Sequence, residues 1–324
     1  MTRAEVPHTV EVADGVFAYV QLDGSWYLNN TGFLTGRRGV IAIDAAATEA
    51  RTRALLDTIA GVTDQPVRTL VNTHHHGDHT YGNHLFAGAT IVGHERTREA
   101  VLAAGPPAPP YWTPVDWGEV EVAPPFLTYA DRVTLYRDDL RVECRYVGSA
   151  AHTTNDSIVW IPDLDVLFCG DLLFNGGTPF LLMGSIDGAI DALEALYDYP
   201  AQTIVPGHGP VVRGRAECAA LITHTLGYLR FVRKRAVEAH AAGLSPLEAA
   251  RATDLGAYAG LLDPERLVGN LHRAYAELDD YLTGADFDGD GYGPAAERGR
   301  GIDTAAAFAD MIAYNGGKPL ACHA

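Results

Sequence analysis

The sequence reads as an α/β protein that carries its chemistry at the ends of strands, and three observations lead there. Short apolar and β-branched runs are interspersed with helical stretches along 324 residues. One such run, Arg68–Asn72, leads straight into a histidine-rich stretch, Val71–Asn83, reading VNTHHHGDHTYGN. Later histidines and an aspartate also lie just past strand-like runs, where α/β folds place their sites.

In chain order, Thr9–Ala13, Val16–Gln21, Trp26–Thr35 and Gly39–Asp44 read as strands, separated by the turn signals Asp14-Gly15, Asp23-Gly24 and Gly36-Arg37. Thr48–Ile59 reads as a helix with Thr48 as N-cap. A short strand, Thr90–Val92, and a helix from about Glu95 to Ala103 follow the histidine stretch. Gly105–Pro114 holds five prolines in ten residues and excludes regular structure, because proline lacks the donor that a ladder or helix needs. Leu127–Leu173 returns to strands with a turn at Pro162-Asp163, and Ser185–Tyr197 reads as a helix capped by Ser185. Gln202–Val205 is a strand leading into Pro206-Gly207-His208-Gly209. From Arg215 the chain is mostly helical: Glu217–Ala241, Pro246–Ala252, Pro264–Tyr281 and Thr304–Tyr314, the last closed by Asn315-Gly316-Gly317. This divides the chain into an α/β part, 1–213, and a C-terminal helical extension, 214–324, interrupted by an acidic, glycine-rich stretch near 284–300.

Bulk properties narrow the class. An apolar content of 47% with 20% charged residues fits a globular protein. The net charge of −17 argues against nucleic acid or an anionic membrane as partner. The start, MTRAEVPHTVEV, shows no signal-peptide pattern, and no apolar run is long enough to span a bilayer. Cys144, Cys169, Cys218 and Cys322 are widely spaced, so reduced thiols in a cytoplasmic protein are expected.

Within the histidine stretch, His74, His76, Asp78 and His79 form H-x-H-x-D-H. In an extended loop, residues two apart point the same way, so His74 and His76 can share an ion while Asp78 and His79 face a second position. A histidine-rich turn without function is the alternative, and this spacing after a strand disfavours it. His152 follows the run Arg141–Val147, Asp171 ends Val166–Cys169, and His208 sits in the Pro-Gly-His-Gly turn. His152 would complete one site with His74 and His76. His208 would complete the other with Asp78 and His79, and Asp171 could bridge the two ions. Nitrogen and carboxylate donors without thiolate suit two Zn²⁺ with open positions, with Fe or Mn as alternatives.

These motifs, in this order, resemble the metallo-β-lactamase superfamily. The resemblance covers about Val12 to Arg213 and implies an αββα sandwich with a dinuclear site at one edge. His75, His84 and His94 fall outside the pattern and read as loop or supporting residues. Outside the metal motifs, Val115–Glu119, Thr178–Phe180, Leu255–Asp263, Glu265–Ala274 and Ala313–Gly317 resemble the zinc-dependent cyclases of aromatic (type II) polyketide biosynthesis, closest to second-ring cyclases of actinorhodin type. That resemblance implies an acyl-carrier-protein-bound poly-β-ketone as substrate. It implies intramolecular aldol condensation with dehydration, possible thioester hydrolysis, and a place in antibiotic biosynthesis. The alternative within the fold is a glyoxalase II-like thioesterase or a lactonase. Asp78 and Asp171 are the catalytic candidates, acting with a metal-activated water. Trp26, Tyr27, Tyr111, Trp112, Trp117, Phe180 and Met183 are expected to wall the substrate pocket, Trp26-Tyr27 as a flap.

Two further patterns have a bland reading. Arg230, Arg233, Lys234 and Arg235 could dock an acidic carrier protein, but a solvated helix face is preferred. Asp286, Asp288, Asp290 and Glu297 match a calcium loop. Gly293 and Pro294 interrupt that pattern, so an acidic connector is preferred to a Ca²⁺ site.

Overall fold

A computed structural model describes residues 6–21, 23–107, 111–283 and 302–324. The calcium-like stretch lies outside the described residues. Two sheets lie face to face. The first runs in the order β1 (His8–Ala13), β2 (Val16–Val20), β3 (Thr31–Gly36), β4 (Gly39–Ile43), β5 (Val67–Val71), β6 (Thr90–His94) and β7 (Leu127–Tyr129). Its first four strands are antiparallel; from β4 onward the pairing is parallel. The second contains β8 (Arg132–Arg137), β9 (Leu140–Tyr146), β10 (Ser157–Ile161), β11 (Val166–Phe168), β12 (Thr203–Val205) and β13 (Val212–Arg213), ordered from β13 back to β8.

Strand alternation sorts the side chains into layers. Ile41 and Ile43 of β4 point at the second sheet and meet Val142, Cys144, Val159, Ile161 and Phe168. Their neighbours Val40 and Ala42 point outward, joining Leu55 and Ile59 of helix α1 (Glu49–Val62). In β10 the same period sends Ile158 and Trp160 to the opposite outer face. There they join helices α4 (Ile186–Ala195), α5 (Arg215–Ala241), α6 (Pro246–Ala252), α7 (Arg266–Thr283) and α8 (Thr304–Tyr314) in one apolar cluster. The result is helix, sheet, sheet, helix. Each fully buried Val, Leu or Ile in these layers contributes about 1.5–3 kcal/mol. The segment after residue 213 is continuous with this core: Leu221, Leu226 and Leu229 of α5 are part of the outer layer of the second sheet.

Local signals fix the helix starts. Thr48 accepts a hydrogen bond from Arg51 N at 3.2 Å, and Ser185 from Gly188 N at 3.0 Å. Two expectations are corrected. β3 begins at Thr31 rather than Trp26, because Trp26–Asn30 bends away to cross the second sheet's strand ends. Asn29 bridges to His208, and Asn30 N donates to Gly207 O at 2.6 Å. The histidine stretch is extended only through His76; Gly77–Thr80 forms a single helical turn, α2, so Asp78 and His79 leave a helix and not an extended loop. The four cysteines are buried and free. No helix among the described residues is long and apolar enough to cross a membrane.

Candidate metal centre

The site forms where strands of both sheets end. β5 delivers His74 and His76, the α2 turn delivers Asp78 and His79, and the loop before β10 delivers His152. Asp171 follows β11 and His208 follows β12. Their donor atoms fall into two groups, His74/His76/His152/Asp171 and Asp78/His79/Asp171/His208, each with all donors within 4.8 Å of one another. Asp171 belongs to both. All seven residues proposed as ligands are therefore brought together, with Asp171 in the shared position.

In His74, His79, His152 and His208 the outward-facing Nδ1 is anchored, which leaves Nε2 to face the centre, whereas His76 turns Nδ1 inward. His79 Nδ1 lies 2.8 Å from Asp44 Oδ2 and His208 Nδ1 lies 3.1 Å from Gly24 O. His74 Nδ1 lies 3.1 Å from Thr73 Oγ1, and His152 Nδ1 donates to Phe180 O. On the inner side, His208 Nε2 sits 3.3 Å from both Asp78 Oδ2 and Asp171 Oδ2, and His76 Nδ1 sits 2.8 Å from His152 Nε2. Two imidazole nitrogens cannot both keep lone pairs at that distance without a shared proton or cation. His74 Nε2 is buried without a hydrogen-bond partner, and His79 Nε2 and Asp171 Oδ1 are buried 3.1 Å apart with no partner but each other. A Cβ on Gly207 would lie 1.9 Å from Asp171 Oδ1, so glycine is required beside the shared carboxylate. Orphaned buried donors, matched nitrogen and carboxylate chemistry and this close approach fit a pair of metal ions.

The protonation pattern splits the two groups. Burial, reinforced by neighbouring imidazoles, holds His74 and His76 well below the usual histidine pKa. Burial pushes His79 and His208 down too, but carboxylates win. Asp171, Asp44 and Asp78 hold His79 well above its ordinary value, and Asp171 and Asp78 bring His208 to about 9. Against burial, His208, His79 and His152 hold Asp171 well below the usual carboxylate range.

The centre floors a cleft that is partly open to solvent. Of the expected wall residues, Trp26, Tyr27, Trp112, Phe180 and Met183 line it. Tyr111 and Trp117 do not. Tyr111 stacks on Phe308 at 4.5 Å behind the wall, and Trp117 braces Tyr27 at 5.0 Å. The Trp26-Tyr27 flap is pinned: Trp26 Nε1 donates to Glu265 Oε1 at 2.7 Å, and the Arg266 guanidinium lies 4.0 Å from the Trp26 ring. Other lining or organising residues carry no local signal in the sequence. Asp44, Arg266, Phe174 and Phe308 come from other parts of the chain, and only the β4 strand end hinted at Asp44. His75 also lines the cleft, its Nδ1 3.0 Å from Asn155 Nδ2. His94 caps α3 (Glu95–Ala104), accepting from Arg96 N. The basic face of α5 is paired: Arg230 with Glu194 at 2.6 Å, Arg233 with Asp187 at 2.8 Å, and Lys234 and Arg235 with Glu238.

A family profile described as the metallo-beta-lactamase superfamily matches residues 24–208. The hydroxyacylglutathione hydrolase of Rhodospirillum rubrum is 33% identical over 139 residues, 42% of this chain and 45% of its own length. The chain thus spans about half the length of the curated relatives of that name. A type 2 metallo-beta-lactamase of Bacteroides fragilis is 23% identical over 213 residues, covering 61% of this chain and 78% of its own. Among solved structures, a metallo-beta-lactamase from Pontibacter korlensis superposes with a TM-score of 0.56 at 23% identity, over 69% of this chain and 99% of that one. That likeness speaks for the fold. With the two-sheet sandwich, the paired donor groups and a profile that spans every candidate ligand from His74 to His208, the chain belongs to the metallo-beta-lactamase superfamily.

Proposed function

We propose that this protein is a dinuclear zinc hydrolase of thioesters. The observation that carries the reading is the pair of four-donor groups sharing Asp171 at the floor of an aromatic-walled cleft. The relatives named hydroxyacylglutathione hydrolase support thioester cleavage as the reaction class. Nitrogen and carboxylate donors without thiolate favour zinc. His74, His76, His152, Asp78, His79, His208 and Asp171 would hold the two ions, which when bound would supply a water of pKa about 7 and a Lewis acid for a carbonyl.

The chain's own residues do the rest. Asp171 holds both groups together. Burial would raise the Asp78 pKa, but His79 and His208 keep it below the usual range, so its carboxylate stays ionised and can accept a proton. Trp26, Trp112, Phe180 and Phe308 present apolar ring surface that excludes water and orients a flat acyl group.

These same walls favour a second reading, ring closure by aldol condensation of a poly-β-ketone carried as a thioester on an acyl carrier protein. The β-ketone C–H bond is acidic, and its proton could pass to Asp78.

The test is zinc-loaded protein with S-acyl-glutathione, aromatic acyl-N-acetylcysteamine and a carrier-bound poly-β-ketone, following thiol release and product mass. Thiol release that Asp171→Ala abolishes is expected. A wild-type protein that releases no thiol from any of them overturns the hydrolase reading. A carrier-bound product that has lost water before thiol appears would select the cyclase.

A further inference from the structure

We propose that Tyr27 is a catalytic residue whose phenol donates a hydrogen bond to the substrate oxygen on which negative charge develops. The proposal rests on the thioester reading above. Tyr27 has φ of 62°. Leu28 N donates to Ser25 O at 3.0 Å, so Ser25–Leu28 is a turn with Tyr27 at its third position. Left-handed φ there, and not at Trp26, marks the place that type II turns give to glycine. Glycine would make this turn without strain, and a bulky residue there is an outlier.

What the ring gains is its position. Tyr27 lines the cleft together with Asp78, His208 and Tyr81. Trp112 and Trp117 grip it edge-on, each with centroids 5.0 Å away, at 89° and 68°. Both clamps are themselves fixed. Trp112 packs on Trp26 at 4.9 Å and bridges to Leu320, and Trp117 O accepts from Glu49 N at 3.1 Å. The hydroxyl has no hydrogen-bond partner among the described residues. A left-handed backbone, a clamped ring and an idle donor in the reactive cleft describe a group retained for function. Burial first, then Tyr81 and the Asp78 carboxylate, push the phenol pKa well above its ordinary value, so the oxygen keeps its hydrogen.

The chemistry at Tyr27 involves no proton loss. As water adds to the carbonyl carbon, the C=O electron pair moves onto oxygen and the phenol O–H points at it. When the C–S bond breaks, the pair returns to C=O and the thiolate leaves. The water's proton goes to Asp78. Tyr81 is the internal control: it is a second phenol in the cleft, but its backbone is helical and unstrained at φ −61° and ψ −31°.

The experiment compares Tyr27→Phe and Tyr81→Phe with wild type, all zinc-loaded. Thioester kinetics are read alongside metal content, Tm and calorimetric binding of phenylphosphonate, a tetrahedral anion. Tyr27→Phe should lower kcat ~100-fold with KM little changed. Phosphonate binding should weaken, with metal content and Tm as in wild type, and Tyr81→Phe should do less. Wild-type kcat and phosphonate affinity in Tyr27→Phe overturn the proposal, as does an activity loss matched by lost metal or a lower Tm. If wild type cleaves no thioester, the hydrolase reading falls, and the phosphonate comparison alone decides Tyr27.

Discussion

Asp44 shows how much of the centre depends on a residue that no ligand motif contains. It sits at the end of β4 with φ of 58°, accepts from Thr73 N at 2.8 Å and from Thr73 Oγ1 at 2.7 Å, and meets His79 Nδ1 at 2.8 Å. Through Thr73 it also reaches His74. One carboxylate therefore orients a histidine in each donor group. Asparagine tolerates the same left-handed backbone, so Asp44→Asn removes the charge and, with an NH2 in place of one acceptor oxygen, at least one of these hydrogen bonds, without straining the chain. Metal affinity should fall about 10- to 100-fold by equilibrium dialysis while the circular dichroism spectrum is retained. Unchanged affinity would mean that the histidines are held by packing alone.

Among the elements, α7 ties the C-terminal part to the cleft. Its first residue, Arg266, donates to Thr178 O at 2.9 Å and lies against Trp26 and Phe174. Phe174 in turn stacks on His208 at 4.9 Å. One helix start thus supports a wall residue and the ring beside a ligand. Further along α7, Glu277 Oε1 accepts from Ile186 N at the start of α4, at 2.8 Å. Burial raises the Glu277 pKa to about 7 from an ordinary 4.5, although that hydrogen bond and Arg273 pull the other way. The folded state then holds a proton that the unfolded chain releases, so stability is full at low pH and falls as pH rises from about 4.5 to about 7. The loss is on the order of 2 kcal/mol, discounting the shift for partial exposure. Glu277→Gln keeps the acceptor without the charge. In denaturant titrations it should match wild type at pH 5 and exceed it at pH 8; equal stability at both would refute the assignment.

For the whole molecule, the two sheets converge on a centre that, without metal, carries opposed charge. His79 and His208 hold protons against Asp44, Asp78 and Asp171. Metal ions must displace those protons. Loading at pH 7 should release protons, read by calorimetry in buffers of different ionisation enthalpy. Affinity at the Asp78/His79/His208 group should climb with pH toward about 9, where His208 gives up its proton. Loading without proton release would show that these histidines are neutral before metal arrives.

Much of this was legible in the residues. H-x-H-x-D-H after a strand, then His152, Asp171 and His208 past later strands, states the ligand chemistry locally, because strand ends and short loops dictate where such side chains emerge. The helix caps at Thr48 and Ser185 were legible for the same reason. Sequence by itself pointed to the candidate donor set and determined the layered α/β class and the superfamily. Tertiary structure alone decided the rest. Nothing near Asp44 announces that it will meet Thr73 and His79, and nothing near Arg266 announces Trp26, 240 positions earlier. Those contacts arise when separate strands and helices close on one point. The left-handed turn that aims Tyr27 into the cleft was hidden because a tyrosine occupies a glycine's place.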